Sequence, residues 1–270
     1  MSMRRAAVLG KPIAHSLSPV IHNAGYAAAG LSAWSYTAIE CVESELADLV
    51  AGLGPEWAGL SLTMPLKEAA LTVAEAVSPV AAAIGAANTL VRGERGWHAD
   101  NTDAPGMVAA LAPAGVTAAA EVAVLGAGGT ARAALAAARD LGARVTVYAR
   151  RRAAIARLEP VAEALGVELT GADWVEAAKC ADAEVVISTV PKGAADGLAE
   201  EVRWRPGSVL FDALYDPWPT PLAAAAAAAG CPVVSGLDLL LAQAVLQFER
   251  FTGRPAPVES MRAALIAARS

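Results

Sequence analysis

The sequence has few cysteines and few histidines, and both shortages exclude classes of site. Its three cysteines are odd in number and far apart, so it contains no disulfide framework and no CxxC metal-binding pair. The three histidines, His15, His22 and His98, lack the helical spacing of metal ligands, and we expect no structural metal. Unpaired cysteines of this kind are typical of a protein in the reducing cytoplasm.

Long apolar runs and a basic surface are also missing. No window approaches the roughly 18 uninterrupted apolar residues of a membrane-spanning helix. The first ten residues, MSMRRAAVLG, start like a secretory signal, but the apolar run stops after a few residues and predicts a first strand instead. The net charge is −6, and a single basic cluster, Arg150–Arg152, is too short to make a nucleic-acid-binding face. We therefore expect a cytoplasmic protein without a membrane or nucleic-acid partner.

What the sequence does have is a regular alternation of β-rich apolar runs and Ala/Leu-rich helical runs. This alternation, over 270 residues, predicts an α/β protein of about two domains with largely parallel sheets. The predicted strands are Arg5–Leu9, Ser35–Ile39, Gly59–Leu62, Thr89–Val91, Val122–Leu125, Arg144–Tyr148, Val185–Ser188, Val209–Asp212 and Val233–Ser235.

A domain boundary is predicted near residues 103–120. There a helical run is followed by the breaker-rich stretch Ala-Pro-Ala-Gly-Val-Thr at 112–117. From Glu121 the pattern restarts as strand, glycine turn, helix and strand. Near the end of the sequence, two further helices are expected at Leu237–Phe251 and Val258–Ala268.

The stretch VAVLGAGGTARAAL at 122–135 is the most specific local motif. An apolar strand runs into Gly126, Gly128 and Gly129 and then directly into a helix, which is the context of a dinucleotide-binding fingerprint. Gly126 permits the tight turn, Gly128 lets the backbone approach a pyrophosphate, and Ala131 takes the place of the usual third glycine. Gly142 is the expected left-handed end of the helix.

The end of the next strand indicates which dinucleotide is bound. An NAD site would place Asp or Glu there to hold the ribose hydroxyls, but the sequence reads Ala149-Arg150-Arg151-Arg152. Guanidinium groups suit a 2′-phosphate, so NADP is favoured over NAD. The alternative is that the three arginines form a solvated helix start.

The first hundred residues contain further candidates for chemistry. In HSLSP, Ser16 and Ser18 flank one residue, so both hydroxyls would face the same way in an extended segment, although Ser18 before Pro19 also predicts a helix N-cap. Lys67, two residues after Pro65, is predicted in the first turn of a helix, where the helix dipole disfavours a cation. Lys67 could instead extend to solvent.

Several motifs, in order along most of the chain, resemble those of the shikimate dehydrogenase family. They are HSLSP at 15–19, SLTMPLK at 61–67, AANTLV at 86–91, DNTDAPG at 100–106, GAGGTARA at 126–133, DALYDP at 212–217 and GLDLLLAQ at 236–243.

The resemblance implies reversible, NADPH-dependent reduction of 3-dehydroshikimate to shikimate, a step towards the aromatic amino acids. It implies Lys67 and Asp103 as the catalytic pair, Ser16 and Ser18 as ligands of the substrate carboxylate, and Thr63, Asn88 and Gln243 as ligands of ring hydroxyls, with Tyr215 closing the site. It implies an NADP site made by Gly126, Ala127, Gly128, Gly129, Thr130, Ala131, Arg150, Arg151, Thr189 and Gly236. It also implies a discontinuous substrate-binding domain, residues 1–102 and 237–270, around a Rossmann-type NADP domain, residues 103–236, with the ligand between them.

Local structure offers simpler roles for the same residues. By spacing alone, Asp103 before Ala-Pro-Gly is first an N-cap, Asn88 a turn residue, Thr63 a helix cap and Gln243 a polar position on an apolar helix.

The sequence departs from the family pattern at three places. Ser61 replaces the usual Asn, Ala149-Arg150-Arg151 replaces Asn-Arg-Thr, and Asp238-Leu239 replaces Gly-Met. A quinate/shikimate dehydrogenase that uses NAD, an enzyme for an aminoshikimate and a non-catalytic NADP sensor are the alternatives. The sequence leaves a monomer and a homodimer equally open.

Overall fold

The structure is a computed structural model that describes residues 3–269 and contains two compact units. The first unit takes in the chain up to Thr102 and again from Leu240; the second is Asp103–Leu239. The change back to the first unit falls inside a helix, three residues after the predicted domain limit.

The strands and helices alternate along most of the chain, as predicted. The strands are β1 (Arg4–Gly10), β2 (Trp34–Glu40), β3 (Trp57–Leu62), β4 (Ala76–Val77), β5 (Thr89–Arg92), β6 (Trp97–Asp100), β7 (Glu121–Leu125), β8 (Arg144–Ala149), β9 (Leu169–Asp173), β10 (Val185–Ser188), β11 (Val209–Asp212) and β12 (Val233–Ser235). The α-helices are α1 (Ser18–Ala28), α2 (Glu43–Ala51), α3 (Pro79–Ile84), α4 (Asp103–Leu111), α5 (Gly129–Leu141), α6 (Arg152–Ala156), α7 (Glu159–Leu165), α8 (Leu198–Glu201), α9 (Pro221–Ala228), α10 (Gly236–Thr252) and α11 (Val258–Ala267). Short 3₁₀ segments cover Ala69–Thr72, Ala112–Ala114 and Trp174–Asp182.

The sheet of the first unit is mixed, with strand order β2-β1-β3-β5-β6-β4. Strand β1 runs parallel to β2 and β3, whereas β5 is antiparallel to both β3 and β6. A tight turn joins β5 to β6, in which the Gly93 N–H donates to the Gly96 carbonyl at 2.7 Å. Such a short connection permits only antiparallel pairing, so β5 is the exception among strands that pair largely in parallel, as predicted.

Helix α10 packs on this mixed sheet through its aromatic residues. A side chain at Gly59 of β3 would collide with the Phe251 ring, and a Cβ at Gly25 of α1 would lie 3.0 Å from the Phe248 ring. Both phenylalanines are buried. The two glycines therefore let α10 approach closely, and Gln247 of the same helix is buried with them.

The sheet of the second unit is parallel throughout, with order β12-β11-β10-β7-β8-β9. Read from its first strand, the order reverses between β7 and β10, which is the doubly wound arrangement of a Rossmann fold. Residues Val122–Leu125 are fully buried, as expected for a central parallel strand covered on both faces. The predicted α/β class with a Rossmann-type unit is confirmed.

The strands that sequence analysis missed carry weak signals. Strand β4 has two residues, both exposed, and β9 reads LTGAD, which includes two residue types that are depleted in strands. Strand β6 does alternate, with Trp97 and Ala99 buried and His98 exposed, but over four residues only. Strands β6 and β9 pair with the predicted strands β5 and β8, and β4 pairs with β6, so tertiary pairing rather than local preference forms all three.

Candidate active site

The glycine-rich turn lies between β7 and α5, at the carboxyl end of the central strand. Gly126 has φ +98°, and a Cβ there would lie 2.9 Å from the Thr189 hydroxyl oxygen. Thr189 directly follows β10, and its hydroxyl donates to the Leu125 carbonyl at 2.9 Å. The structure therefore brings the predicted residues Gly126 and Thr189 together, and this contact leaves only a glycine able to fill the turn.

The start of α5 is open and has no side-chain cap. Gly128 is the N-cap residue, and nothing lies within 4 Å of a Cβ built at Gly128 or Gly129. The first N–H groups of a helix have no intrahelical partner and carry the positive end of the dipole. Thr130 follows in the first turn, and Ala131 is fully buried under it. This cradle fits the pyrophosphate of a dinucleotide.

The arginines lie at the end of β8, the strand that follows the glycine turn and its helix. Ala149 is buried, whereas Arg150 and Arg151 are exposed, and Arg151 is the N-cap residue of α6. The acid that pairs in register with Ala149 is Asp173 of β9, and its carboxylate accepts from the Val175 N–H at 3.1 Å. The end of β8 therefore offers cations rather than a carboxylate, which fits a 2′-phosphate.

Lys67 does not lie in the first turn of an α-helix, and that prediction is wrong. The segment after β3 forms a turn in which Leu66 N–H donates to the Thr63 carbonyl at 2.8 Å, and a 3₁₀ segment begins only at Ala69. The Lys67 carbonyl accepts from the Ala87 N–H at 2.8 Å, a partner twenty residues away. A helix would have used that carbonyl internally, so the helix-dipole argument for an unfavourable position does not apply to Lys67.

Thr63 and Ser16 lie on segments that follow β3 and β1, which are neighbours in the sheet. The Thr63 N–H donates to the Leu9 carbonyl at 2.9 Å, which continues the pairing past the end of β3. The Ser16 hydroxyl accepts from the Ser18 N–H at 3.3 Å. Ser18 is buried at the start of α1, but Leu17 is the N-cap residue and no side chain caps this helix, so the predicted Ser18 cap is wrong.

The Asn88 side chain is held by several hydrogen bonds to its amide oxygen. Its amide oxygen accepts from the Thr102 N–H at 2.7 Å, from the Thr102 hydroxyl at 3.1 Å and from the Thr89 hydroxyl at 2.9 Å. A backbone N–H can only donate, so the amide orientation follows from these contacts. Nδ2 is then the atom that Asn88 presents on its other side.

Asp103 begins a helix, and polar contacts hold the segment before it. Asp103 is the first residue of α4, where the helix dipole favours an acid, so the predicted N-cap role becomes a first-turn role. The preceding Asp100 accepts from Arg250 Nε at 2.7 Å and from the Ser78 hydroxyl at 2.7 Å. Asn101 donates to the Ala86 carbonyl at 3.0 Å. In the structure Lys67 belongs to the first unit and Asp103 opens the second.

Gln243 is 8% exposed on α10, and its amide nitrogen donates to the Leu240 carbonyl at 3.0 Å.

Tyr215, half-buried, lies on the segment between β11 and α9, where a Cβ at Gly236 would be 3.0 Å from its ring. The Asp212 carboxylate stabilises that segment by accepting hydrogen bonds from the Thr220 hydroxyl at 2.7 Å and from the Leu214 N–H at 3.1 Å. Burial raises the pKa of Asp212.

Sequence analysis missed a buried polar cluster that surrounds Asn88. Gln247, Tyr36 and Thr89 are among its members, and His22 stacks on Tyr36 with ring centroids 4.1 Å apart. The available signal was a second glutamine four residues after Gln243, on the same face of an apolar helix.

Residues 3–269 contain neither a candidate metal site nor a candidate membrane-spanning helix. No three His, Cys, Asp or Glu side chains there are grouped as a metal site. No helix in that range has the length and apolar character needed to cross a bilayer.

Profiles of known protein families match three stretches of this chain. The profile of the shikimate dehydrogenase substrate binding domain matches residues 8–90, and that of the shikimate 5'-dehydrogenase C-terminal domain matches residues 236–266. Residues 97–216 match the profile of the alanine dehydrogenase/PNT C-terminal domain.

Individual relatives cover nearly the whole chain. The chain is 40% identical to a shikimate dehydrogenase (NADP(+)) of Anaeromyxobacter dehalogenans, over 96% of this chain and 94% of that protein. The crystal structure of Mycobacterium tuberculosis shikimate dehydrogenase superposes with a TM-score of 0.91 at 49% identity, over 98% of this chain and 99% of that one. A shikimate 5-dehydrogenase of Thermus thermophilus, solved in complex with NADP(H) and shikimate, superposes with a TM-score of 0.83 at 34% identity, over 98% and 100%.

Proposed function

This chain belongs to the shikimate dehydrogenase family, and we propose that it catalyses the reversible, NADPH-dependent reduction of 3-dehydroshikimate to shikimate. The observation that carries the proposal is similarity to these enzymes along nearly the whole chain, with every family motif residue for catalysis present in order. It is an oxidoreductase of the shikimate pathway, and its cofactor is NADP.

The substrate-binding residues are those that the resemblance to the family implies, and their chemical types suit these roles. The paired hydroxyls of Ser16 and Ser18 suit the substrate carboxylate, because a hydroxyl can donate to a carboxylate oxygen. Thr63, Asn88 and Gln243 suit ring hydroxyls.

For Asn88 the fixed amide supports this role, since contacts from Thr89 and Thr102 hold its oxygen and so set which way the amide faces. Tyr215 would complete the site.

The cofactor supplies the hydride that reaches the carbonyl carbon. Lys67 donates a proton to the carbonyl oxygen as the C–O double bond becomes a single bond. One hydride and one proton thus convert the ketone into the alcohol. Asp103 is the proposed carboxylate partner of Lys67 in this proton transfer, and solvent supplies the proton that replaces the one Lys67 gives up. In the oxidation direction the same pair accepts the proton of the alcohol.

Binding of NADP is assigned to the glycine turn and the arginines. The N–H groups at the start of α5, around Gly128, Gly129 and Thr130, receive the pyrophosphate. Arg150 and Arg151 receive the 2′-phosphate. Ala127, Ala131, Thr189 and Gly236 complete the predicted set, with Thr189 supporting the turn from β10.

We also propose that the enzyme works in the cytoplasm as a monomer or a homodimer, without a membrane or nucleic-acid partner. Its three cysteines are buried and unpaired, which suits a reducing compartment.

The test is an oxidation assay with four combinations of substrate and cofactor. Purified protein receives shikimate or quinate, each with NADP or NAD, and the absorbance of the reduced nicotinamide is followed. We expect turnover of shikimate with NADP to have the highest kcat/KM of the four. Faster turnover with NAD, or with quinate, would establish a quinate/shikimate dehydrogenase instead, and binding of NADP without any turnover would establish a sensor.

A further inference from the structure

We propose that Gln247 is a positioning residue for substrate binding: it orients Asn88 through a directed chain of buried hydrogen bonds. This inference deepens the proposed function and rests on it, because it takes Asn88 as a substrate ligand. Gln247 itself is fully buried on α10.

The orientation of the Gln247 amide is fixed by its partners. Its nitrogen lies 3.3 Å from the Asn88 carbonyl oxygen and 3.0 Å from the Thr89 hydroxyl oxygen. A backbone carbonyl can only accept, so Nε2 must face Asn88 and Thr89. The Gln247 oxygen consequently faces the Ser61 hydroxyl, at 2.7 Å.

The fixed amide gives the whole chain one direction. The Ser61 hydroxyl must donate to Gln247, and the Tyr36 hydroxyl, 2.6 Å from Ser61, must then donate to Ser61. At the other end, Thr89 accepts from Gln247, which leaves the single hydroxyl proton of Thr89 to be donated onwards. The Asn88 amide oxygen lies 2.9 Å from that hydroxyl.

Thr102 completes the arrangement around Asn88. Its hydroxyl lies 3.2 Å from the Thr89 hydroxyl and 3.1 Å from the Asn88 amide oxygen. Because Gln247 donates to Thr89, the Thr89 proton points away from Gln247, and both threonine hydroxyls can donate to the same amide oxygen. Gln247 therefore favours the arrangement in which Nδ2 of Asn88 faces away from the cluster.

The burial of this cluster is costly unless each group is paired. A buried amide without a partner is destabilising, and an apolar residue of similar shape would avoid that cost on a helix whose neighbours include Phe248 and Phe251. If Gln247 had a purely structural role, replacing it would lower stability, and its effect on shikimate binding would not depend on Asn88. If Gln247 positions Asn88, its effect on shikimate binding should disappear when Asn88 is replaced.

The test compares Gln247→Leu, Thr89→Val and Asn88→Ala, with Ser208→Ala as the matched control. Ser208 is a buried hydroxyl of the second unit that donates to the Ala183 carbonyl at 3.2 Å, outside the proposed machinery. Each variant is assayed for shikimate oxidation with NADP, and NADP binding is measured separately by fluorescence. We expect Gln247→Leu and Thr89→Val each to raise the KM for shikimate about tenfold, with the Kd for NADP changed less than about twofold, and Ser208→Ala to change neither.

A double-mutant cycle decides between positioning and fold support. In the Asn88→Ala background, adding Gln247→Leu should change kcat/KM for shikimate by less than about twofold, because its target is gone. An undiminished tenfold effect in that background, or an unchanged KM in the single variant, would overturn the inference. If Gln247→Leu fails to fold, the same cycle with Thr89→Val carries the test. Absence of shikimate oxidation in the unmodified protein would instead overturn the proposed function.

Discussion

The two units bury polar side chains to different extents and for different ends. In the first unit the buried polar residues are Ser18, His22, Ser61, Asn88, Thr89, Asn101, Thr102, Gln243 and Gln247. In the second they are Ser188, Ser208, Asp212, Thr220 and Ser235. The first set is concentrated around candidate substrate ligands, and several of its members are linked in one hydrogen-bonded cluster.

The difference reflects what each unit is proposed to bind. A pyrophosphate can be held by backbone N–H groups at a helix start, so the second unit needs glycines and open space rather than buried side chains. A ring with several hydroxyl groups needs donors and acceptors at particular positions, and only oriented side chains supply them. Substitutions in each unit test this difference.

Replacing Lys67 by Ala should have the largest effect, because it removes the proposed proton donor and leaves the second unit unchanged. We expect kcat for shikimate oxidation to fall about 100- to 10,000-fold, while the Kd for NADP measured by fluorescence stays within about twofold. Lys179→Ala, at an exposed lysine paired with Glu176, is the control and should retain full activity. Loss of NADP binding in parallel with turnover would remove the distinction between the two units.

Replacing glycines tests whether the second unit binds through its backbone. Gly126→Ala places a Cβ 2.9 Å from Thr189 at φ +98° and should lower the free energy of unfolding by about 2 kcal/mol, measured by urea denaturation. Gly115→Ala is a control for the conformational cost alone, since φ there is +88° and the space around it is open.

Gly128→Ala should behave in the opposite way to Gly126→Ala. Its Cβ meets nothing within 4 Å, so stability should be unchanged, yet the methyl group would occupy the surface proposed for the pyrophosphate. We expect the Kd for NADP to rise at least about tenfold. An unchanged Kd would place the phosphates elsewhere.

Acid should weaken the first unit through His22. Burial lowers the pKa of His22 to about 3 from an ordinary 6.5, against a smaller opposing influence of the Gln247 side chain. The ring nitrogens make no hydrogen bond of normal geometry. Between those two pKa values the unfolded chain binds the proton and the folded protein does not, so stability is complete above pH 6.5 and falls as the pH drops below it.

The expected loss from this histidine between pH 6.5 and pH 5 is about 2 kcal/mol, measured by urea denaturation at each pH. His22→Phe keeps a ring against Tyr36 and should flatten that part of the profile. His98→Gln, at an exposed position on β6, should leave the profile as it is. A profile that His22→Phe does not alter would show that another group controls the acid sensitivity.

The smallest effect is expected at Arg151. Arg151→Ala should raise the KM for NADP about tenfold and leave the KM for NAD nearly unchanged, because only NADP carries a 2′-phosphate. Arg157→Ala, an exposed arginine at the other end of α6, is the matched control. Equal effects on both cofactors would point to a general electrostatic role for Arg151.

Much of the second unit could be predicted from local sequence. Strands β10, β11 and β12 have the predicted bounds, and Gly142 ends α5 with φ +78° as expected. Central parallel strands are continuous apolar runs, and the glycine turn has its own sequence signature, so each element carries its signal within a few residues. The one strand of this unit that was not predicted is β9, an edge strand with Gly171 in the middle.

The first unit was less predictable because its elements depend on distant partners. The segment around Lys67 looked like a helix start, but Ala87 takes the Lys67 carbonyl and a helix does not form there. Ser18 looked like an N-cap, although Leu17 takes that position. The roles assigned to Lys67, Ser18 and the other site residues stay predictions.

The α/β class, the Rossmann-type unit, the family and the preference for NADP could all be predicted from the residues, because each depends on short motifs or on their order. The mixed sheet, the turn at Lys67 and the cluster that joins Tyr36, Ser61, Gln247 and Asn88 could not, because they form through contacts between distant segments. Those residues are up to 211 positions apart, and a hydrogen bond between them exists only once β2, β3, β5 and α10 have packed together.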